Sequence, residues 1–107
     1  MMSINQKLID EIVNRVLAEV QAERVILFGS AASEQMTRDS DIDILVLETT
    51  VGNPREKSAR LNKVLRGMGY PFDIIVMTTE RFEESKNVIG GIAYPANKYG
   101  KVIYAAG

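Results

Sequence analysis

The sequence predicts a small α/β domain, with helices packed on a β-sheet, and three observations carry that prediction. Apolar runs of strand length recur at Val25-Ile26-Leu27-Phe28, at Ile42 to Leu47 and at Phe72 to Met77. Apolar residues at helical spacing fill the stretch before the first run and the stretch between the second and the third. With 107 residues the chain can bury one core, so residues 1–107 are expected to form a single domain.

The elements follow in order. Ile4, Leu8, Ile12, Val16 and Val20, flanked by Ile9, Val13 and Leu17, make one apolar stripe, and Ser3 with Gln6 suits a capping box, so the chain opens with an amphipathic helix. Strand one is expected from about Arg24 to Phe28 and strand two from about Asp41 to Leu47. Gly52-Asn53-Pro54 then supplies a loop residue, an N-cap and a first-turn proline, which starts a helix at Pro54. That helix should reach about Met68, bury Leu61, Val64, Leu65 and Met68, and close at Gly67 to Gly69. A strand from Phe72 to Met77 follows, then a helix capped by Thr79 that runs through Phe82 towards Asn87. Gly90-Gly91 marks a break, Tyr94-Pro95 begins a short helical stretch, and Lys101 to Tyr104 forms an edge strand.

Composition narrows the chemistry. Apolar residues at 46% and charged residues at 25% are ordinary for a globular protein, and a net charge of −1 favours neither DNA nor an anionic membrane as partner. Cysteine is absent, which excludes a disulfide framework and a thiolate zinc site, and histidine is absent too, which removes the commonest general base. Chemistry must therefore rest on carboxylates, hydroxyls and bound metal. No apolar stretch is long enough to span a bilayer and no signal-peptide pattern opens the chain, so a cytoplasmic location is expected.

Such chemistry concentrates at three places. Asp41 and Asp43 flank Ile42, and in a strand alternate side chains share a face, so the two carboxylates project together while Ile42 and Ile44 project the other way. Like charges on one face repel, and a hard divalent cation is the natural compensation. A polar loop at a strand entrance is the plainer reading of these residues alone. Gly29-Ser30 closes the first apolar run; glycine lets phosphate oxygens approach the backbone, Ser30 adds a hydroxyl, and a short helix over Ala31 to Glu34 would aim free N–H groups at the same place. A simple strand-to-helix turn would look the same, and neither a P-loop nor a G-x-G-x-x-G is present. Asp73, near the start of the third apolar run, is costly there unless it is paired, metal-bound or at a solvated edge.

Gly29-Ser30, then Asp41-x-Asp43, then Asp73 in a later strand resembles the nucleotidyltransferase superfamily that includes DNA polymerase β and kanamycin nucleotidyltransferase, and the small size is similar to its minimal branch. The resemblance covers most of the chain, from the leading helix to Gly100-Lys101-Val102-Ile103-Tyr104. It implies a palm-like fold with a mixed sheet. It implies that Asp41, Asp43 and Asp73 ligate two Mg²⁺ ions, replaceable by Mn²⁺, and form the catalytic set, while Gly29 and Ser30 hold a triphosphate. It implies transfer of a nucleoside monophosphate, AMP from ATP, to a hydroxyl of a partner such as an HEPN-class toxin, with this chain as antitoxin. The alternative is a non-catalytic binding module that neutralises its partner sterically. Many members carry an arginine just after the Gly-Ser pair, where this chain has Ala31-Ala32-Ser33-Glu34.

Two features lie outside that pattern. Arg55, Lys57, Arg60, Lys63 and Arg66 are spaced to lie away from Leu61, Leu65 and Met68, either as a solvated helix face or as a docking face for an acidic partner or nucleic acid. The helix that carries them has no aromatic residue for base stacking, which weighs against single-stranded nucleic acid. Tyr70, Tyr94, Tyr99 and Tyr104 read as core or rim, with Tyr94 and Tyr99 placed to line a nucleotide pocket.

Overall fold

A computed structural model describes residues 5–29, 32 and 41–106 of the chain. Its elements are α1 (Gln6–Glu19), β1 (Arg24–Phe28), β2 (Ile42–Glu48), α2 (Pro54–Leu65), β3 (Phe72–Thr78), α3 (Thr79–Ser85), α4 (Ala93–Tyr99) and β4 (Lys101–Ala105). The strands form one sheet in the order β3-β2-β1-β4. β1 is antiparallel to β2 and to β4, whereas β2 and β3 run parallel, so the sheet is mixed. The parallel pair requires a long crossover, and α2 supplies it.

Alternation along the strands sorts the core into two layers. Val25 and Leu27 of β1, Ile42, Ile44 and Val46 of β2, and Ile74 and Val76 of β3 pack with Ile9, Ile12 and Val16 of α1 and Leu61 and Leu65 of α2. The intervening residues Ile26, Phe28, Leu45 and Leu47 pack with Phe82 of α3 and Ala93 and Ala96 of α4. Each central strand is covered on both faces. That is why β2 reads as a nearly unbroken apolar run and not as a simple alternation.

Local chemistry sets the element ends, in places differently from the sequence expectation. Asn5 caps α1, its Oδ1 accepting from the Leu8 N–H at 2.8 Å; the expected capping box at Ser3, and Ile4, lie outside the described residues. Asn53 caps α2 as expected, accepting from the N–H groups of Arg55 and Glu56 at 3.0 and 3.3 Å. α2 stops at Leu65, short of the expected Met68, because Arg66 is already extended and Gly67 and Gly69 turn the chain at φ 91° and 90°. Thr78, not Thr79, caps α3, which frees the Thr79 hydroxyl to donate to Glu23 Oε1 at 2.6 Å. Among the described residues no helix is long and apolar enough to cross a membrane.

Candidate functional site

Register brings the acids together. β2 and β3 pair parallel with Asp43 directly beside Asp73, and β1 pairs antiparallel with Phe28 opposite Asp43. The N-terminal ends of β2 and β3 and the C-terminal end of β1 therefore meet at one end of the sheet. Asp43 shares its face with Leu45 and Leu47, and Asp73 shares the same face with Ile75 and Met77. α3 packs over the far part of that face, against β2 and β3, and α4 lies beside it over β1. At the near end Asp43 is half-buried, and Asp41 and Asp73 are exposed to solvent.

The electrostatics follow from that placement. Burial raises the pKa of the Asp43 carboxyl from its ordinary value, and the neighbouring charges of Asp73 and Asp41 act in the same direction. All three acids thus act on one locus. They do not close on themselves into a ready-made cage: among the described residues no group of three acids stands close enough to hold a metal ion by protein ligands alone. The donor set nevertheless fits Mg²⁺, which prefers oxygen and is commonly held by one or two carboxylates with substrate phosphates completing its shell.

Gly29 is tied to the acids more directly than its sequence position suggests. Its φ is +68°, in the left-handed region, and a Cβ built on it would collide with Oδ2 of Asp43. The glycine thus leaves space for an acidic side chain of its own chain, whereas sequence reasoning expected that space to admit phosphate. The Gly29 carbonyl accepts from the Ala32 N–H at 3.2 Å, which closes a turn. Ser30, and the short helix expected over Ala31 to Glu34 apart from Ala32, lie outside the described residues.

Other residues reach the same end from β4. Lys101 is in register with Leu27, two residues before Gly29, and sequence reasoning assigned it no role. Just before it, Lys98 Nζ donates to the Tyr94 hydroxyl at 3.3 Å and lies 5.6 and 5.4 Å from the ring centroids of Tyr94 and Tyr99. Tyr94 and Tyr99, read from the sequence as core or rim with a nucleotide pocket as the alternative, are gathered around this lysine, whose pKa their hydroxyls raise. Tyr99 is 65% exposed, well outside the core. The Lys98–Tyr94 contact is an i, i+4 pair within α4, whereas the approach of Lys101 to the acidic end depends on the pairing of distant segments.

A nucleotidyltransferase domain model matches residues 9–94. Solved structures share the fold. A toxin–antitoxin with AMP-PNP superposes with a TM-score of 0.73 at 19% identity, covering 92% of this chain and 73% of that one. A complex of tri-AMPylated Shewanella oneidensis HEPN toxin with MNT antitoxin gives 0.65 at 18% identity, covering 95% and 74%. A candidate nucleotidyltransferase from Sulfolobus solfataricus gives 0.62 at 24% identity, covering 92% and 78%. No curated protein matches the chain.

Proposed function

The chain belongs to the nucleotidyltransferase domain family, and from that premise we propose that it transfers AMP from ATP to a hydroxyl of a partner protein, an HEPN-type toxin that it neutralises as antitoxin in the cytoplasm. The observation that carries the reading is the in-register pair Asp43 and Asp73, with Asp41 and Gly29 at the same end of the sheet. AMP-PNP belongs to one similar complex and AMPylation to the toxin of another; carried over here, they suggest ATP as donor and a protein hydroxyl as acceptor.

In this mechanism Asp41, Asp43 and Asp73 would hold Mg²⁺, as two ions that Mn²⁺ could replace. When bound, the metal would polarise the phosphate oxygens and lower the pKa of the acceptor hydroxyl. Gly29, in the turn after β1, orients the β and γ phosphates together with Ser30. Asp73, exposed beside Asp43, takes the proton of the acceptor hydroxyl. The hydroxyl oxygen then bonds to the α-phosphorus and pyrophosphate leaves. Acceptor recognition falls to the partner.

The test is direct. The chain, mixed with the protein encoded beside it, Mg²⁺ and ATP, should produce AMP mass increments on that partner, with pyrophosphate released. Asp73→Asn should slow this at least about 10²-fold, the scale of losing one preorganised electrostatic contact, and should leave partner binding in place. Tight binding without any mass increment, together with full protection by the Asp73→Asn variant, would replace the enzyme with a steric antitoxin.

A further inference from the structure

Cations are concentrated in one segment of the chain. The stretch from Pro54 to Arg66 carries five of the 13 Lys and Arg residues against the single acid Glu56, a net +4 in a chain of net −1, which leaves −5 on the remainder. Lys57 turns inward, its Nζ 2.7 Å from the buried carboxylate of Glu48. Arg55, Arg60, Lys63 and Arg66 are exposed, and among the described residues none of them meets a carboxylate. At 3.6 residues per turn Arg55, Lys63 and Arg60 spread over an arc of roughly 140° on the side away from Leu61 and Leu65.

Beside this face runs an apolar trough. β3 is an edge strand, and among the described residues no strand pairs with its outer side. A cavity of about 190 Å³ lies between that edge and α2, lined by Pro54, Arg55, Ser58, Ile74, Ile75 and Val76. It shares Pro54 and Val76 with a second cavity of about 410 Å³ that extends to Val51 and Met77. Inside the trough Ser58 Oγ donates to the Ile74 carbonyl, which satisfies one backbone acceptor and blunts the edge against strand addition. The trough thus suits an inserted side chain better than an added strand.

We propose that the outer face of α2 docks an acidic surface of a partner protein, with one apolar side chain of that partner seated in the trough beside β3. Charge complementarity selects the class of partner, since among the described residues Arg55, Arg60, Lys63 and Arg66 meet no carboxylate. Protein is favoured over nucleic acid for two reasons. The remainder of the chain, acidic site included, would repel a long polyanion, and the exposed face of α2 offers no aromatic ring for a base. Geometry links the surface to the site. α2 begins at the far end of the sheet and the segment after it returns to the acidic end, where Pro71 accepts from the Ile42 N–H at 2.9 Å. This last link rests on the proposed transfer reaction; the docking surface itself does not.

The probe is a fluorescein-labelled acidic peptide, glutamates flanking one leucine, titrated with the full chain and followed by anisotropy. It should bind, more weakly as salt rises, and R60E/K63E should lose at least about tenfold in affinity. A control reversal of equal charge elsewhere, K7E/K86E, should lose far less. Replacing the peptide leucine by serine should also weaken binding. Equal losses in the two reversals would reduce the effect to global charge and overturn the proposal. So would a serine peptide that binds as well as the leucine peptide, or an RNA duplex that binds more tightly than the peptide and is released by R60E/K63E. Stabilisation by ATP and Mg²⁺ should be unchanged in R60E/K63E, so docking and nucleotide binding can fail independently.

Discussion

Gly29 and Asp43 constrain each other. A methyl at position 29 meets both a left-handed backbone and the Asp43 carboxylate, so Gly29→Ala should destabilise the apo protein by about 1 kcal/mol or more and weaken its response to ATP and Mg²⁺. In an Asp43→Ala background the steric part disappears and only the backbone cost remains. Chemical denaturation of the four proteins in that cycle should give a coupling energy of about 0.5–3 kcal/mol. Strict additivity would show that the carboxylate moves aside at no cost. Asp43 also sets a pH dependence. Its folded pKa is raised, so between the unfolded value and the folded one the native state holds more protons than the unfolded state, and stability falls as pH rises through that window. Asp43→Asn removes the effect. The melting temperature of the variant should therefore exceed that of the wild type increasingly from acid towards neutral pH, and a pH-independent difference would refute the assignment. A local reading of residues 41 to 43 predicts the shared face, but not that Asp73 and burial would add to the strain.

At the scale of elements, one ion pair ties α2 to the sheet. Glu48, 4% exposed at the end of β2, accepts from Lys57 Nζ, while its second oxygen, Oε2, meets no partner among the described residues. Removing the lysine would leave a buried carboxylate unbalanced. Lys57→Met should cost about 2–4 kcal/mol by urea unfolding, somewhat less than for a fully enclosed pair because the lysine side chain is 24% exposed. Glu48→Gln in the same chain should recover much of that loss. If the double variant is no more stable than the single one, the pair does not act as a unit. The sequence reading grouped Lys57 with the outer basic face, but Lys57, Leu61 and Leu65 are four residues apart and share a helix face, so the spacing itself turns Lys57 towards the sheet; what it cannot reveal is that Glu48 waits there. α3 is tied to β1 by a more exposed pair, in which Arg24 bonds Glu83 at 3.0 Å and lies 5.2 Å from the centre of the Phe82 ring.

At the scale of the whole molecule, the sheet has a charged end that a nucleotide and its metal would complete. If the proposed site holds them, Mg²⁺ with ATP should raise the melting temperature of the wild type by mass action, since a ligand that binds only the folded state stabilises it. The double variant D41N/D43N should lose that shift and, freed of carboxylate repulsion, should match or exceed the wild type in the apo form. A preserved shift in a thermal-melt assay would remove these two residues from the proposed metal site.

Much of this was legible in the chain itself. Val25 to Phe28 and, Asp43 apart, Ile42 to Leu47 are apolar because strands covered on both faces must be, and Asn53-Pro54 supplies the cap and first-turn proline that start a helix. Those are local preferences, set by neighbours a few residues apart. The order β3-β2-β1-β4, the parallel register that sets Asp43 beside Asp73, the collision awaiting any side chain at Gly29 and the burial of Glu48 over Lys57 belong to the tertiary structure alone. Each depends on segments that meet only after the chain closes on itself, and periodicity within one segment carries no information about which residue of another will lie opposite it.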